Sequence, residues 1–413
     1  MRGMKAEIIS VGTEITSGHC LDTNGQWLSQ RLGEIGIAVG WHTTVADDLQ
    51  ANVDAFRLAA ARAGLVIVTG GLGPTLDDLT REALAQAAGV ELVFHPESFQ
   101  QITEMFARRH RPMPERNRVQ AMLPQSAEPI ANTCGTAPGV FMRLGDAIVI
   151  AMPGVPTEMF AMYEASVRPR LVALGLGGGV QVQRKINCFG AGESHIEEKL
   201  VDLTRRGHVP EVGITASDAT IALRILARAA TLQAAQEQIA PVEQKIRERL
   251  GRLVFGADDQ ELQDVVVELL SARRLTLATA EQVTGGLVAQ RLTGVAGADR
   301  CFRGGLIASD VKTAMLGVST AIIEKHGVVS PQVAQAMAAG CRGLFKTDMA
   351  LSTVGVARPE DATSGTPVGT VWVGLAWDDG ESSVQYSWIG TSAEIRSRGA
   401  KTALNWLRLK LLG

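Results

Sequence analysis

Tyrosine is almost missing from this 413-residue chain: there are two, Tyr163 and Tyr386, and aromatic residues together make up 4% of the sequence. The interleaving of aromatic and basic residues that grips single-stranded nucleic acid is therefore absent. A formal net charge of −3 supplies no electrostatic footprint for a phosphate backbone. Cysteine is scarce as well. Cys20, Cys134, Cys188, Cys301 and Cys341 are odd in number and show no C-x-x-C spacing, which excludes a disulfide framework and a zinc cage of that type. The seven histidines form no H-x-x-x-H or H-E-x-x-H pair. No apolar run reaches membrane-spanning length. Met1-Arg2-Gly3-Met4-Lys5 leads directly into an apolar strand, so the expectation is a cytoplasmic protein with no leader segment and no membrane partner.

What remains is a chain with 46% hydrophobic and 20% charged residues, enough for two or three cored domains. From residue 5 to about 172, apolar strands at 5–12, 37–45 and 64–69 alternate with amphipathic helices at 22–36, 48–63 and 76–88. That rhythm predicts an α/β fold with an open, mainly parallel sheet. A helix from Val155 to about Leu174 closes the block, and Gly175-Leu176-Gly177-Gly178-Gly179 is the first credible linker. Residues 180–256 read as a small α+β module, and residues 260–413 as a further α/β domain.

The most informative stretch is Val68-Thr69-Gly70-Gly71-Leu72-Gly73-Pro74-Thr75-Leu76-Asp77-Asp78-Leu79-Thr80. A strand runs into a glycine-rich turn and then into a helix expected to open with two carboxylates. Gly70, Gly71 and Gly73 permit positive φ and close backbone approach, so successive N–H groups can face an anion at the helix start. Asp77 and Asp78 would repel a phosphate ester there unless a divalent cation bridged the two, which is how magnesium is commonly held. The competing reading is a plain strand-to-helix turn with Asp77 or Asp78 capping the helix. A second polar turn, Gly12-Thr13-Glu14 with Gly18, follows the first strand, and ligands of such sheets bind at the strands' carboxyl ends.

Further segments are distinctive: Arg116-Asn117-Arg118-Val119-Gln120-Ala121, Asn132-Thr133-Cys134-Gly135-Thr136-Ala137-Pro138-Gly139, and Met152-Pro153-Gly154-Val155-Pro156-Thr157-Glu158-Met159. In order and wording they resemble the competence/damage-inducible protein A (CinA) family, along essentially the whole chain. The resemblance implies a first domain (1–172) similar to the molybdopterin-binding MoaB/MogA fold, a KH-like middle domain (180–256) and a C-terminal domain (260–413) similar to nicotinamide-mononucleotide (NMN) deamidases. It implies metal-assisted cleavage of ADP-ribose to AMP and ribose 5-phosphate by the first domain, within pyridine-nucleotide recycling. On that basis Asp77 and Asp78 are assigned to a divalent metal of the magnesium or cobalt class, with a monovalent cation as a further candidate. Glu158 is a third catalytic carboxylate. Gly70, Gly71, Gly73 and Thr75 are expected at phosphate, and Thr13, Glu14, Asp22, Asn24, Asn117 and Gln120 at the rest of the nucleotide.

The middle module offers Gly190-Ala191-Gly192-Glu193 where a nucleic-acid clamp needs a G-x-x-G loop with basic neighbours, so no direct nucleic-acid contact is expected. Arg108-Arg109-His110-Arg111 reads either as a solvated helix end or as a lid over a distal phosphate. In the third block the family turn E-S-C-T-G-G is Glu281-Gln282-Val283-Thr284-Gly285-Gly286, so Gln282 stands where the nucleophilic serine would be. An amide has no ionisable oxygen for a base to activate. The segment Gly304 to Lys312 lacks the family tyrosine, Val354 replaces a hydroxyl residue, and Ser392 replaces an arginine, while Thr284 and Lys312 are kept. The expectation is a folded but inactive deamidase-like domain. Alternatives are a molybdopterin-like ligand-binding module, a non-catalytic partner in competence or recombination, and an active NMN deamidase. The long apolar C-terminal helix suggests a homo-oligomer, with a dimer expected.

Overall fold

The computed structural model describes residues 5–309, 314–361 and 365–413. They form two compact units, one of residues up to Val182 with Arg228–Glu237, the other of Gln183–Ala227 with Gln238–Gly413. Among the described residues no helix is long and apolar enough to cross a membrane.

The first unit is built on strands β1 (Lys5–Val11), β2 (Ala38–Val45), β3 (Leu65–Thr69), β4 (Leu92–Phe94), β5 (Met122–Pro124), β6 (Glu128–Ile130), β7 (Gly139–Leu144) and β8 (Ala147–Met152). Six of them form a sheet in the order β2-β1-β3-β8-β7-β6. Its first three pairings are parallel and its last two antiparallel, the expected mainly parallel arrangement with an antiparallel edge. All residues of β3 and β8 are buried. Strands covered by helices on both faces read as unbroken apolar runs, and these do. Alternate residues enter opposite cores: Ile8, Ile67 and Ile150 join Leu28, Leu32, Met159 and Tyr163, whereas Ile9, Val66 and Val68 join Val53, Phe56 and Leu84.

Local chemistry sets the helix starts. Asp22 accepts the N–H of Gly25 at 2.8 Å and starts the helix Thr23–Glu34; Asp48 does the same through Ala51 for Leu49–Arg62. The helix expected from 155 to 174 is interrupted: Pro156–Met162 passes through a π-helical turn, Tyr163–Val167, into Arg168–Ala173. Pro169 has no N–H to give its preceding turn, and the wider turn absorbs that loss.

In the second unit, β9 (Val180–Phe189), β10 (Glu211–Ser217), β11 (Thr220–Ala229) and β12 (Val254–Ala257) form a sheet in the order β10-β11-β9-β12. The ends of β9 and β11 lie in segments assigned to the first unit. Strands β13 (Leu277–Glu281), β14 (Phe302–Ile307), β15 (Met349–Gly355), β16 (Thr370–Trp377) and β17 (Gly380–Ser387) form a second sheet in the order β14-β13-β15-β16-β17. The C-terminal helix Ser392–Leu412 opens with a capping box between Thr391 and Glu394. Its Ile395, Ala400, Ala403, Leu404, Leu407 and Leu411 pack with Val266, Leu270 and Leu277 in one core. The apolar face that suggested self-association is thus spent inside its own chain, and the argument for a dimer from that helix falls.

Candidate active site

At the carboxyl ends of β1, β3 and β8 a cleft of about 430 Å³ is lined by the two glycine turns and by the Pro153-Gly154-Val155 turn. Of the residues singled out in the sequence it gathers Glu14, Asn24, Gly70, Gly71, Gly73, Asp77, Asp78, Gln120 and Glu158. It does not gather Thr13, Asp22, Thr75 or Asn117. Asp22 is occupied as a helix cap and by the Ser10 hydroxyl at 2.6 Å. Asn117 is buried and donates to Gln120 Oε1 at 3.0 Å, holding the residue that does reach the cleft.

The glycine turn differs from the expectation in three ways. The helix begins at Thr80 rather than at 76, so Asp77 and Asp78 lie in the turn before it and do not open it. Gly70 and Gly71 have φ of 107° and 66°, but Gly73 is not in the left-handed region. Asp78 holds the turn together: it accepts the N–H of Gly73 at 2.7 Å, the N–H of Thr75 at 2.8 Å and the Thr75 hydroxyl. These bonds remove Thr75 and the Gly73 N–H from any phosphate cradle. Gly70 N–H is taken by Met152 O at 3.0 Å, so within the glycine segment 70–73, among the described residues, the uncommitted donors are the N–H groups of Gly71 and Leu72.

Beneath the turn Arg81 is 2% exposed and donates to Leu72 O at 2.6 Å and Gly73 O at 3.1 Å. Burial pushes its guanidinium below the ordinary value, against the opposing fields of Glu82 and Asp78. The side chain that fixes this loop is a cation under it, and it was missed because a lone arginine in a helical pattern reads as solvated.

Asp77 is exposed, and the Thr75 hydroxyl beside it, with its own backbone N–H, holds its carboxyl below the ordinary carboxylate range. Glu158 is placed by the 132–139 loop: Asn132 Nδ2 donates to Glu158 Oε2 at 2.7 Å, and Asn132 Oδ1 accepts the N–H of Cys134 and Gly135. A Cβ at Gly135 would meet that carboxylate and have to displace it. Arg109, from the basic cluster, donates to Cys134 O at 2.9 Å and braces the same loop instead of lining the cleft.

Sequence reasoning also missed Asp47. It lines the cleft and accepts the Thr13 N–H at 2.8 Å, while its own N–H donates to Thr13 Oγ1 at 3.2 Å, tying the turns after β1 and β2 together. The cleft therefore carries five carboxylates, Glu14, Asp47, Asp77, Asp78 and Glu158, and no lysine, arginine or histidine among its lining residues. Asn24, 9% exposed, donates to Thr69 Oγ1 and Gly154 O, and its Oδ1 is buried without a partner among the described residues.

The donor chemistry fits a divalent cation completed by ligand oxygens: no three His, Cys, Asp or Glu side chains converge among the described residues, while Asp77 is exposed and Asp78 retains one lone-pair site of four.

The two inner glycines separate folding from binding. At Gly71 a Cβ would meet Thr80 Oγ1 and lie 3.3 Å from Thr80 N, on a backbone at φ 66°. Gly71→Val should cost about 1–3 kcal/mol from that conformation. Gly73→Val collides instead with the Asp78 side chain, so it should disturb ligand binding in the cleft with a smaller fall in Tm. Thermal unfolding beside a substrate titration distinguishes them; equal losses in both assays for Gly73→Val would assign that glycine to folding alone.

In the second unit the ends of β13 and β15 bring Gln282, Thr284 and Val354 together. Gln282 Oε1 accepts the Gly355 N–H at 2.9 Å, so the amide in the nucleophile's place is a backbone tie. Thr284 is 1% exposed; its hydroxyl donates to Glu281 Oε2 at 2.7 Å and lies 2.6 Å from Thr353 Oγ1. Glu281, also 1% exposed and not anticipated, accepts the N–H groups of Gly286, Val288 and Ala289, capping the helix Leu287–Thr293. Val354 is wholly buried, Ser392 lies in the first turn of the C-terminal helix, and Lys312 falls outside the described residues.

Comparison with known proteins agrees in both sequence and domain order. Residues 7–173 match the probable molybdopterin binding domain, 183–256 the damage-inducible protein CinA KH domain and 259–411 the CinA C-terminal domain. A CinA-like protein of Dictyoglomus thermophilum is 41% identical over 99% of this chain and 100% of its own length. A putative competence-damage inducible protein of Clostridium novyi is 38% identical over 99% of both chains. Among solved structures, a CinA protein of Thermoplasma acidophilum is 34% identical, covering 41% of this chain and 99% of its own, with a TM-score of 0.39. With full-length relatives at this identity and all three domains in family order, the chain belongs to the CinA family.

Proposed function

We propose that the first unit hydrolyses ADP-ribose, or a related nucleotide pyrophosphate, in a reaction that depends on a divalent cation. The observation that carries this reading is the five-carboxylate cleft without a cationic side chain, set around a glycine turn at the ends of parallel strands. A pyrophosphate would meet only like charge there, and like charges at close range in a cleft repel strongly. A divalent cation held by Asp77 and the spare site on Asp78 would polarise a phosphoryl oxygen and activate water.

The chain's own groups do the rest. The N–H groups of Gly71 and Leu72 are available to phosphate oxygens. Glu158, with Oε2 fixed by Asn132, keeps Oε1 to accept a proton from the attacking water. Asn24 and Gln120, which line the cleft, would accept or donate hydrogen bonds at the ribose or base. Water adds to phosphorus as the bridging P–O bond breaks, giving AMP and ribose 5-phosphate.

Calorimetric titration with ADP-ribose tests the electrostatic premise. Binding should be about a hundredfold or more tighter with millimolar magnesium than in chelator, since one cation offsets repulsion worth several kcal/mol. Equal affinity in both conditions would contradict the premise. The match to a molybdopterin-binding domain favours a second reading, a pterin-phosphate binding module on the same cleft; tight metal-dependent binding without any AMP would support it.

A further inference from the structure

Within the second unit the middle domain meets the C-terminal domain through Phe189 and Phe255 in a shared core, through Arg408 bonds to Arg252 O and Val254 O, and through the tip of one hairpin. Strands β10 and β11 pair up to Ser217 opposite Thr220, leaving a two-residue turn of Asp218 and Ala219 at φ 45° and 61°. Asn-Gly is the usual occupant of such a turn, and alanine at its second position is a strained choice. Ala219 packs against the core that contains the C-terminal helix. Asp218 is taken up by that helix. Its Oδ2 accepts the Ser397 hydroxyl at 2.6 Å and pairs with Lys401 Nζ at 3.1 Å, while Arg291 and Arg398 each come within 3.9 Å.

Lys401 is the other half of the contact. It is 7% exposed, and its Nζ also donates to Asp218 O at 3.0 Å and Thr220 Oγ1 at 3.1 Å. An ammonium has three protons, and every partner found for them belongs to this hairpin tip. A buried ammonium stripped of its partners is costly. On the neighbouring turn of the helix, Gly399 lies against Thr284: a Cβ there would sit 3.5 Å from Thr284 Cγ2. Arg291, on the helix that Glu281 caps, donates to Ser397 Oγ at 2.9 Å. The hairpin tip, the C-terminal helix and the 281–286 turn thus form one connected stack.

We propose that the β10–β11 hairpin is a charge-locked strap: the middle domain works by holding the C-terminal helix and the 281–286 turn in register, with Asp218 as the bolt and Lys401 as its socket.

Hydrogen exchange on the full chain tests this with Asp218→Ala, Lys401→Met and the double variant. Asp218→Ala should speed exchange about tenfold or more in 212–225, 284–291 and 395–404, because local opening no longer breaks the lock. In the double variant, 395–404 should return to within about threefold of the unmodified protein, since the buried ammonium that Asp218→Ala strands is gone and Arg291 and Arg398 are part-exposed, while 212–225 stays fast. Should Asp218→Ala fail to fold, Lys401→Met alone must release the hairpin and leave the helix protected. Unchanged exchange in the hairpin and helix of Asp218→Ala would overturn the proposal. So would a double variant whose helix exchanges as fast as in Asp218→Ala.

Discussion

Asp77→Ala should lower turnover of ADP-ribose by about a hundredfold or more, the scale expected when a metal-held phosphoryl group loses its anchor, and leave Tm almost unchanged. Asp78→Ala should lower both. The difference lies in what each carboxylate touches. Asp77 is exposed, and the backbone N–H groups of Gly73 and Thr75 go to Asp78 and not to it, so its loss removes mainly what it would hold. Asp78 receives the N–H groups of Gly73 and Thr75 together with the Thr75 hydroxyl, and its removal leaves those donors to water and loosens the turn above Arg81. Charge-assisted bonds of this kind contribute about 1.5–3 kcal/mol. Steady-state kinetics paired with thermal unfolding would read the two variants apart. Full activity in Asp77→Ala would remove it from the metal site, and an unchanged Tm in Asp78→Ala would show that the turn does not depend on its carboxylate.

The second large effect is an absence that substitution at one position should not reverse. The C-terminal domain should release no ammonia from NMN, and Gln282→Ser should restore none. Serine at 282 would give up the Gln282 bond to the Gly355 N–H, leaving that donor without its partner at a cost of about 1–3 kcal/mol where it is buried. Among the described residues the new hydroxyl would gain no free base: Val354 is buried and apolar, and Glu281 is taken up by the Thr284 hydroxyl and the N–H groups of Gly286, Val288 and Ala289. Of the two tyrosines, Tyr163 is buried in the first unit and Tyr386 lies on the edge strand β17. Gln282→Ser should therefore show a lower Tm and no rate above a no-enzyme control. Ammonia release by the unmodified chain would mean that another hydroxyl serves as nucleophile.

Much of the architecture is legible in the sequence because it depends on short-range pattern. The apolar runs of β1, β3 and β8 and the caps Asp22 and Asp48 need only neighbours along the chain to be read. What stayed hidden depends on which partner a polar group meets in three dimensions. Asp78 could have capped a helix at 76 or closed the turn on itself, and the choice was made by the Gly73 and Thr75 donors and by Arg81 beneath them. Asp47 lies 34 residues from Thr13, and Asp218 lies 179 residues from Ser397. No local spacing announces either pair. The substitution at 282 was visible, but its consequence, a glutamine amide tied to the end of β15, was not.

The central claim is that the first unit's anionic cleft performs metal-dependent pyrophosphate cleavage while the C-terminal domain performs no deamidation. It is tested most directly by product analysis of the full chain offered ADP-ribose and NMN together, with a divalent cation and again in excess chelator. The account predicts AMP and ribose 5-phosphate only with the cation, and no ammonia in either condition. AMP formed equally well in chelator, or ammonia formed without AMP, would contradict it.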